Sequence, residues 1–96
     1  MFVGVYQIEL HFPASQSLKA KRSILSSIKA KVAKVGVQVA EIEDQDLWQS
    51  AILGASAVSG TPGYLDDLVQ KIESACLREP RALLLRVRSH VMPVEL

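Results

Sequence analysis

The chain has 96 residues, 49% of them hydrophobic and 22% charged, with 11 lysines and arginines against 10 acids. That is one domain with one core, and it excludes a disordered chain. A single cysteine, Cys76, excludes an internal disulfide. The amino-terminal stretch lacks the basic start of a signal peptide and meets polar residues too early for a membrane span, so a reducing, cytoplasmic setting with no membrane partner is expected.

Residues 2–12 alternate. Phe2, Tyr6, Ile8, Leu10 and Phe12 fall on one face, and Val3, Val5, Gln7, Glu9 and His11 on the other. Period two predicts a strand with one buried face, ended by Pro13. Ser15 and Ser17 are both candidate caps for the helix that follows. Over residues 18–35, Leu18, Ile24, Leu25, Ile28, Val32 and Val35 form one stripe at helical spacing, and Gly36 stands where a carboxyl-terminal cap belongs. Val37 to Ile42 is a short β-rich run. Residues 43–49 are polar and read as a connection. Residues 51–58, small and apolar, read as a strand buried on both faces. Thr61-Pro62 marks the start of a second helix, in which Leu65, Leu68, Val69, Ile72 and Cys76 keep helical spacing up to Pro80. A last strand spans 82–92, with Leu83, Leu85 and Val87 expected on one face and Arg86, Arg88 and His90 on the other.

The order strand, helix, strand, strand, helix, strand predicts an α+β sandwich. Each helix has one apolar stripe and covers the sheet from one side. Right-handed crossovers place both on the same face of a four-stranded antiparallel sheet of order 4-1-3-2. This is the ferredoxin-like βαββαβ arrangement, as a single domain over residues 1–96.

Charge is segregated. The first helix holds Lys19, Lys21, Arg22, Lys29, Lys31 and Lys34 and no acid. Residues 41–79 hold eight acids against Lys71 and Arg78. A one-sign helix face steers an anionic partner, RNA or an acidic protein surface; it serves equally as a solvated face that keeps the domain soluble. Lys19, Lys21, Arg22 and Lys29 are the candidate contacts. Lys21 falls inside the apolar stripe. Either its stem packs while its ammonium reaches solvent past the sheet edge, which is the expectation, or it pairs with a carboxylate such as Glu9.

Other constellations are thin. Glu41, Glu43, Asp44 and Asp46 lack the spacing and glycine of a calcium loop and read as a hairpin connection. Trp48 is expected to plug the end of the core, with a partner-binding anchor as the other role. His11 and His90 are expected on the open sheet face, on neighbouring strands, near Glu9, Arg86 and Arg88. The arginines oppose a metal there, so a polar face or a dimer contact is expected. Cys76 belongs to the core. No serine or cysteine has a nucleophile's setting, and no triad, phosphate loop or dinucleotide motif is present. The exposed positions of the first and third strands carry no aromatics for base stacking. The chain has no asparagine for acylphosphatase chemistry and no cysteine pair for copper. No enzyme and no cofactor is expected.

The stretches Ser17-Leu18-Lys19 with Lys21-Arg22, and Val39-Ala40-Glu41 through Asp46-Leu47-Trp48-Gln49, resemble the YlxP-like family of small bacterial proteins, with the likeness running over residues 3–92. Ser59–Gly63 departs from it in being richer in glycine and proline. The resemblance implies a ferredoxin-like fold and gene company with ribosome maturation and translation initiation. It implies no catalytic residues. The expectation is a binding domain that meets RNA or a ribosomal protein through the basic helix. The alternative is a module that forms homodimers or takes a small ligand through the open sheet face or an edge strand.

Overall fold

The computed structural model describes residues 1–96. Its elements are β1 (Phe2–His11), α1 (Leu18–Ala33), β2 (Gln38–Glu43), β3 (Ser50–Ser59), α2 (Pro62–Leu77) and β4 (Leu83–Pro93). The four strands form one antiparallel sheet in the order β2-β3-β1-β4, which is the expected ferredoxin-like topology. No helix is long and apolar enough to cross a membrane.

The two periodicities build the core directly. Tyr6, Ile8, Leu10 and Phe12 of β1 and Ala51, Leu53 and Ala55 of β3 meet Ile24, Leu25, Ile28 and Val32 of α1 and Leu65, Leu68, Ile72, Ala75 and Cys76 of α2. The Tyr6 hydroxyl donates to the Leu65 carbonyl, so the one buried phenol is satisfied while it ties β1 to α2. Burial pushes the Cys76 thiol up to about 11, with the Glu73 charge adding to the effect, so this cysteine is inert packing.

Caps settle the helix ends. Ser17 is the amino-terminal cap of α1, its hydroxyl accepting from the Ala20 N–H at 3.0 Å. Ser15 is buried beside it and does not cap. Gly36 closes the turn after α1 at φ 103, a backbone conformation only glycine adopts without strain. Pro62 opens α2 behind Thr61, whose side chain makes no capping hydrogen bond. There the fixed φ of proline and its missing N–H set the start.

The sequence pattern misplaces part of β4. Glu9 pairs with Arg86 but Leu10 pairs with Leu84, so Leu85 is an extra residue on β4. This bulge changes which leucines face the core. Leu84 packs against it with Val87 and Val91, whereas Leu83 and Leu85 are exposed. An unbroken period of two cannot anticipate this, because the extra residue shifts the alternation by one. β2 has its own shift, between Glu41 and Glu43, with Ile42 as the extra residue. Both edge strands therefore bulge at the same end of the sheet, which blunts edges that would otherwise invite strand addition.

Candidate nucleic-acid interface and open sheet face

The five cations of α1, with Lys34 at its carboxyl-terminal cap, divide into three groups by what they touch. Lys21 is only 2% exposed. Its ammonium donates to the Asp44 carbonyl and stands 3.1 Å from Glu41 Oε2. This corrects both sequence expectations: the head does not reach solvent, and its partner is Glu41 of β2, not Glu9. The contact with Glu41 Oε2 lacks hydrogen-bond geometry, so the carbonyl of Asp44 is the directed partner and Glu41 supplies charge. Asp44 has φ 64, the left-handed region that aspartate tolerates better than most residues. Its carbonyl also accepts from the Leu47 N–H at 3.1 Å. Lys21 thus pins the β2–β3 loop to the start of α1. Gln49 fastens the other end of that loop, its side-chain amide donating to the Pro13 and Ser15 carbonyls at 3.2 and 3.1 Å.

Lys31 is the second kind. It bonds the Ser27 hydroxyl at 2.7 Å and lies 3.6 Å from Glu79, at the end of α2. Glu79 is buried and is gripped by the Arg81 guanidinium at 2.8 and 2.9 Å and by the Arg81 N–H at 3.1 Å. Hydrogen bonding to Arg81 holds the Glu79 carboxyl far below the usual carboxylate range, against the opposing effect of burial.

Lys19, Arg22, Lys29 and Lys34 are the third kind. None takes part in any of the four ion pairs. At about 100° per residue, Arg22 and Lys29 share one line along the helix, Lys19 lies about 60° beyond it, and Lys31 is on the opposite flank. Since Lys31 faces Glu79, the line of Lys19, Arg22 and Lys29 looks away from α2, toward the β2 edge and the pinned loop. Lys29 is half-buried at its stem. These three cations have no internal partner and stand free to meet an anion.

Trp48 does not plug the core. It is 53% exposed on the loop that Lys21 and Gln49 hold, and its neighbour Leu47 is exposed beside it. Phe12 and Ala51, at the adjoining strand ends, are buried, and the tryptophan is left on the surface.

The face of the sheet opposite the helices carries the other predicted group. Glu9 and Arg86 lie directly across from each other and form a two-point ion pair at 2.9 and 3.1 Å. That contact, aided by Arg88, holds the Glu9 carboxyl below its ordinary value. The histidines are not brought together. His11 pairs with Leu83 and His90 with Val5. Six residues of β1 separate those levels, roughly 20 Å. Neighbouring strands do not make neighbouring side chains, because antiparallel register decides the level at which each residue sits. No group of three histidine, cysteine, aspartate or glutamate side chains comes together in the chain. Across the middle of this face runs a shallow trough of about 730 Å³, floored by Ala40, Gly54 and Ser56 and edged by Val5, Ile42 and Arg88. Gly54 makes the room: a Cβ there would come within 3.1 Å of the Ile42 side chain that folds over it.

Fold and surface together define a small ferredoxin-like domain with a basic helix flank and an uncovered sheet face. Residues 3–89 match the protein family of unknown function DUF503, and the chain belongs to that family. No curated protein matches the sequence. Among solved structures it is similar to the de novo designed protein Foldit4, at 12% identity over 97% of this chain and 99% of that one, with a TM-score of 0.55. It is also similar to the designed protein LFR1 1 with ferredoxin fold, at 11% identity over 98% and 88% of the two chains, with a TM-score of 0.54. At these identities the likeness concerns the fold alone.

Proposed function

We propose that this domain is a non-catalytic, cytoplasmic RNA-binding module that meets the phosphate backbone with Lys19, Arg22 and Lys29. The observation that supports this reading is the partition of the α1 cations. Lys21 and Lys31 are consumed by internal partners, while these three keep one outer flank free of any acid partner. The resemblance to the YlxP-like family, carried by Ser17–Arg22 and Val39–Gln49, implies the company of ribosome maturation genes and makes ribosomal RNA the natural probe. Exposed Trp48, on the loop fixed beside the helix start, offers a ring for an unpaired base.

The test is titration of the intact domain with ribosomal RNA fragments at several salt concentrations, for the wild type and for a Lys19→Glu, Arg22→Glu, Lys29→Glu triple variant. Three phosphate contacts predict that the slope of log affinity against log salt is shallower by about 2–3 in the variant. The changes are on the solvent side of α1, so the variant keeps its fold, as circular dichroism would show. Equal slopes, or no binding by the wild type at low salt, would sink the proposal.

A further inference from the structure

An antiparallel sheet with one free face normally alternates apolar-in with polar-out. This one does not. The register places Val3, Val5, Gln7, Glu9 and His11 outward from β1 and Ile52, Gly54, Ser56 and Val58 outward from β3. From β2 and β4 come Gln38, Ala40 and Glu43, and Arg86, Arg88, His90 and Met92. Ile42 adds an exposed side chain over Gly54. Exposed aliphatic groups are thus set among polar ones: Val5, near the middle of the face, is 39% exposed, and Val58 is 65% exposed. Exposed aliphatic side chains on a sheet face that no helix covers are the feature of a docking surface.

Its charges indicate what covers it. Glu43, Ile52, Glu9 and Arg86 occupy one level across the sheet, from the β2 edge to the β4 edge. The charged groups of the face are Glu9, Glu43, Arg86 and Arg88, two acids and two bases, so the face has no net charge to attract a polyanion. It is polar instead, with acid at the β2 edge and arginine at the β4 edge. Such a surface is best met by its own copy turned half a revolution.

We propose that two copies of the chain pack face to face through this sheet, about a two-fold axis parallel to the strands. That axis lays β4 of one copy over β2 of the other and keeps every residue at its own level. Arg86 and Arg88 then come over Glu43 of the second copy, and Val3 comes over Val58. A two-fold axis across the strands would instead lay β4 over β4 and bring the arginines together. With strands about 4.8 Å apart and about 3.3 Å per residue, the face offers about 500 Å² per copy, about 1,000 Å² in all. This is the lower edge of specific interfaces, so the association is expected to be weak and reversible. The helices lie on the other side, so the pair presents two α1 flanks outward and the RNA reading is independent of it.

Sedimentation equilibrium over roughly 1–500 µM tests the association. The wild type shows a reversible monomer–dimer equilibrium, and Val5→Lys weakens it at least tenfold. Glu43→Lys alone and Arg88→Glu alone each weaken it, because each homodimer then repeats a like-charge contact twice. Mixing the two variants restores part of it, since the two changed positions then face each other with opposite charges, as do the unchanged Glu43 and Arg88, while one Arg86 still meets the introduced lysine. All three positions of the test are solvent-facing, and circular dichroism of each variant checks the fold. A wild type that stays monomeric throughout overturns the proposal and leaves the face to another occupant. A dimer indifferent to Val5→Lys, or a mixture without recovery, overturns the geometry.

Discussion

Replacing Lys21 by methionine keeps the buried stem and removes only the ammonium. The Asp44 carbonyl then loses its side-chain donor, and Glu41 loses its counter-charge. Removing one partner of a fully buried pair costs about 3–5 kcal/mol. Glu41 is 20% exposed at its side chain and recovers some hydration, so the expected loss is about 2–3 kcal/mol. With an m-value of about 1–2 kcal/mol per molar urea, the unfolding midpoint falls by about 1–3 M. The loss concentrates in one place: the Leu47 amide, which bonds the same carbonyl, exchanges its hydrogen faster in the variant. A Lys21→Met, Glu41→Leu double variant recovers part of the loss, because no unpaired charge remains, but about 1 kcal/mol stays missing for the carbonyl of Asp44. Urea unfolding of the wild type, Lys21→Met, Glu41→Leu and the double variant gives the coupling directly. A Lys21→Met protein within about 0.5 kcal/mol of wild type would refute the view that the lysine head holds the loop.

Two further outcomes follow from other parts of the molecule. Leu84→Ala costs about 1–3 kcal/mol in urea unfolding while Leu83→Ala and Leu85→Ala cost under about 0.5, a ranking that the unshifted β4 register would reverse. Glu79 stabilises the fold through the Arg81 and Lys31 contacts, and its carboxyl titrates below its ordinary value of 4.5 in the folded state. That contribution is complete above the ordinary value and drains away as pH falls below it, so Glu79→Gln is destabilised by about 1–3 kcal/mol at pH 7 and shows a flatter acid limb than wild type; equal acid limbs would remove Glu79 from the account.

Much of this was written in local pattern. Tyr6, Ile8, Leu10 and Phe12 alternate, and Ile24, Leu25, Ile28 and Val32 recur at helical spacing, and both signals depend only on which side of an element faces the core. Gly36 and Pro62 mark helix ends through properties of their own backbones. What failed was everything that required a partner strand or loop to be in place. The bulge at Leu85 exists because β4 must match β1 on both sides of Glu9, and no residue of β4 announces it. His11 and His90 share neighbouring strands but not a level. Trp48 carries the composition of a core plug, yet the loop between β2 and β3 holds it on the surface, while Phe12 and Ala51 are buried.

By itself, then, the order and period of apolar residues determined the six elements, their single core and the ferredoxin-like topology, and the segregation of acids from bases marked α1 as the charged helix. Which of its cations are free was decided only by tertiary structure. Lys21 and Lys31 have the same chemistry as Lys19 and Lys29. They differ because folding brings Asp44, Glu41 and Glu79 to the first two, and a charge finds its partner through space and not along the chain.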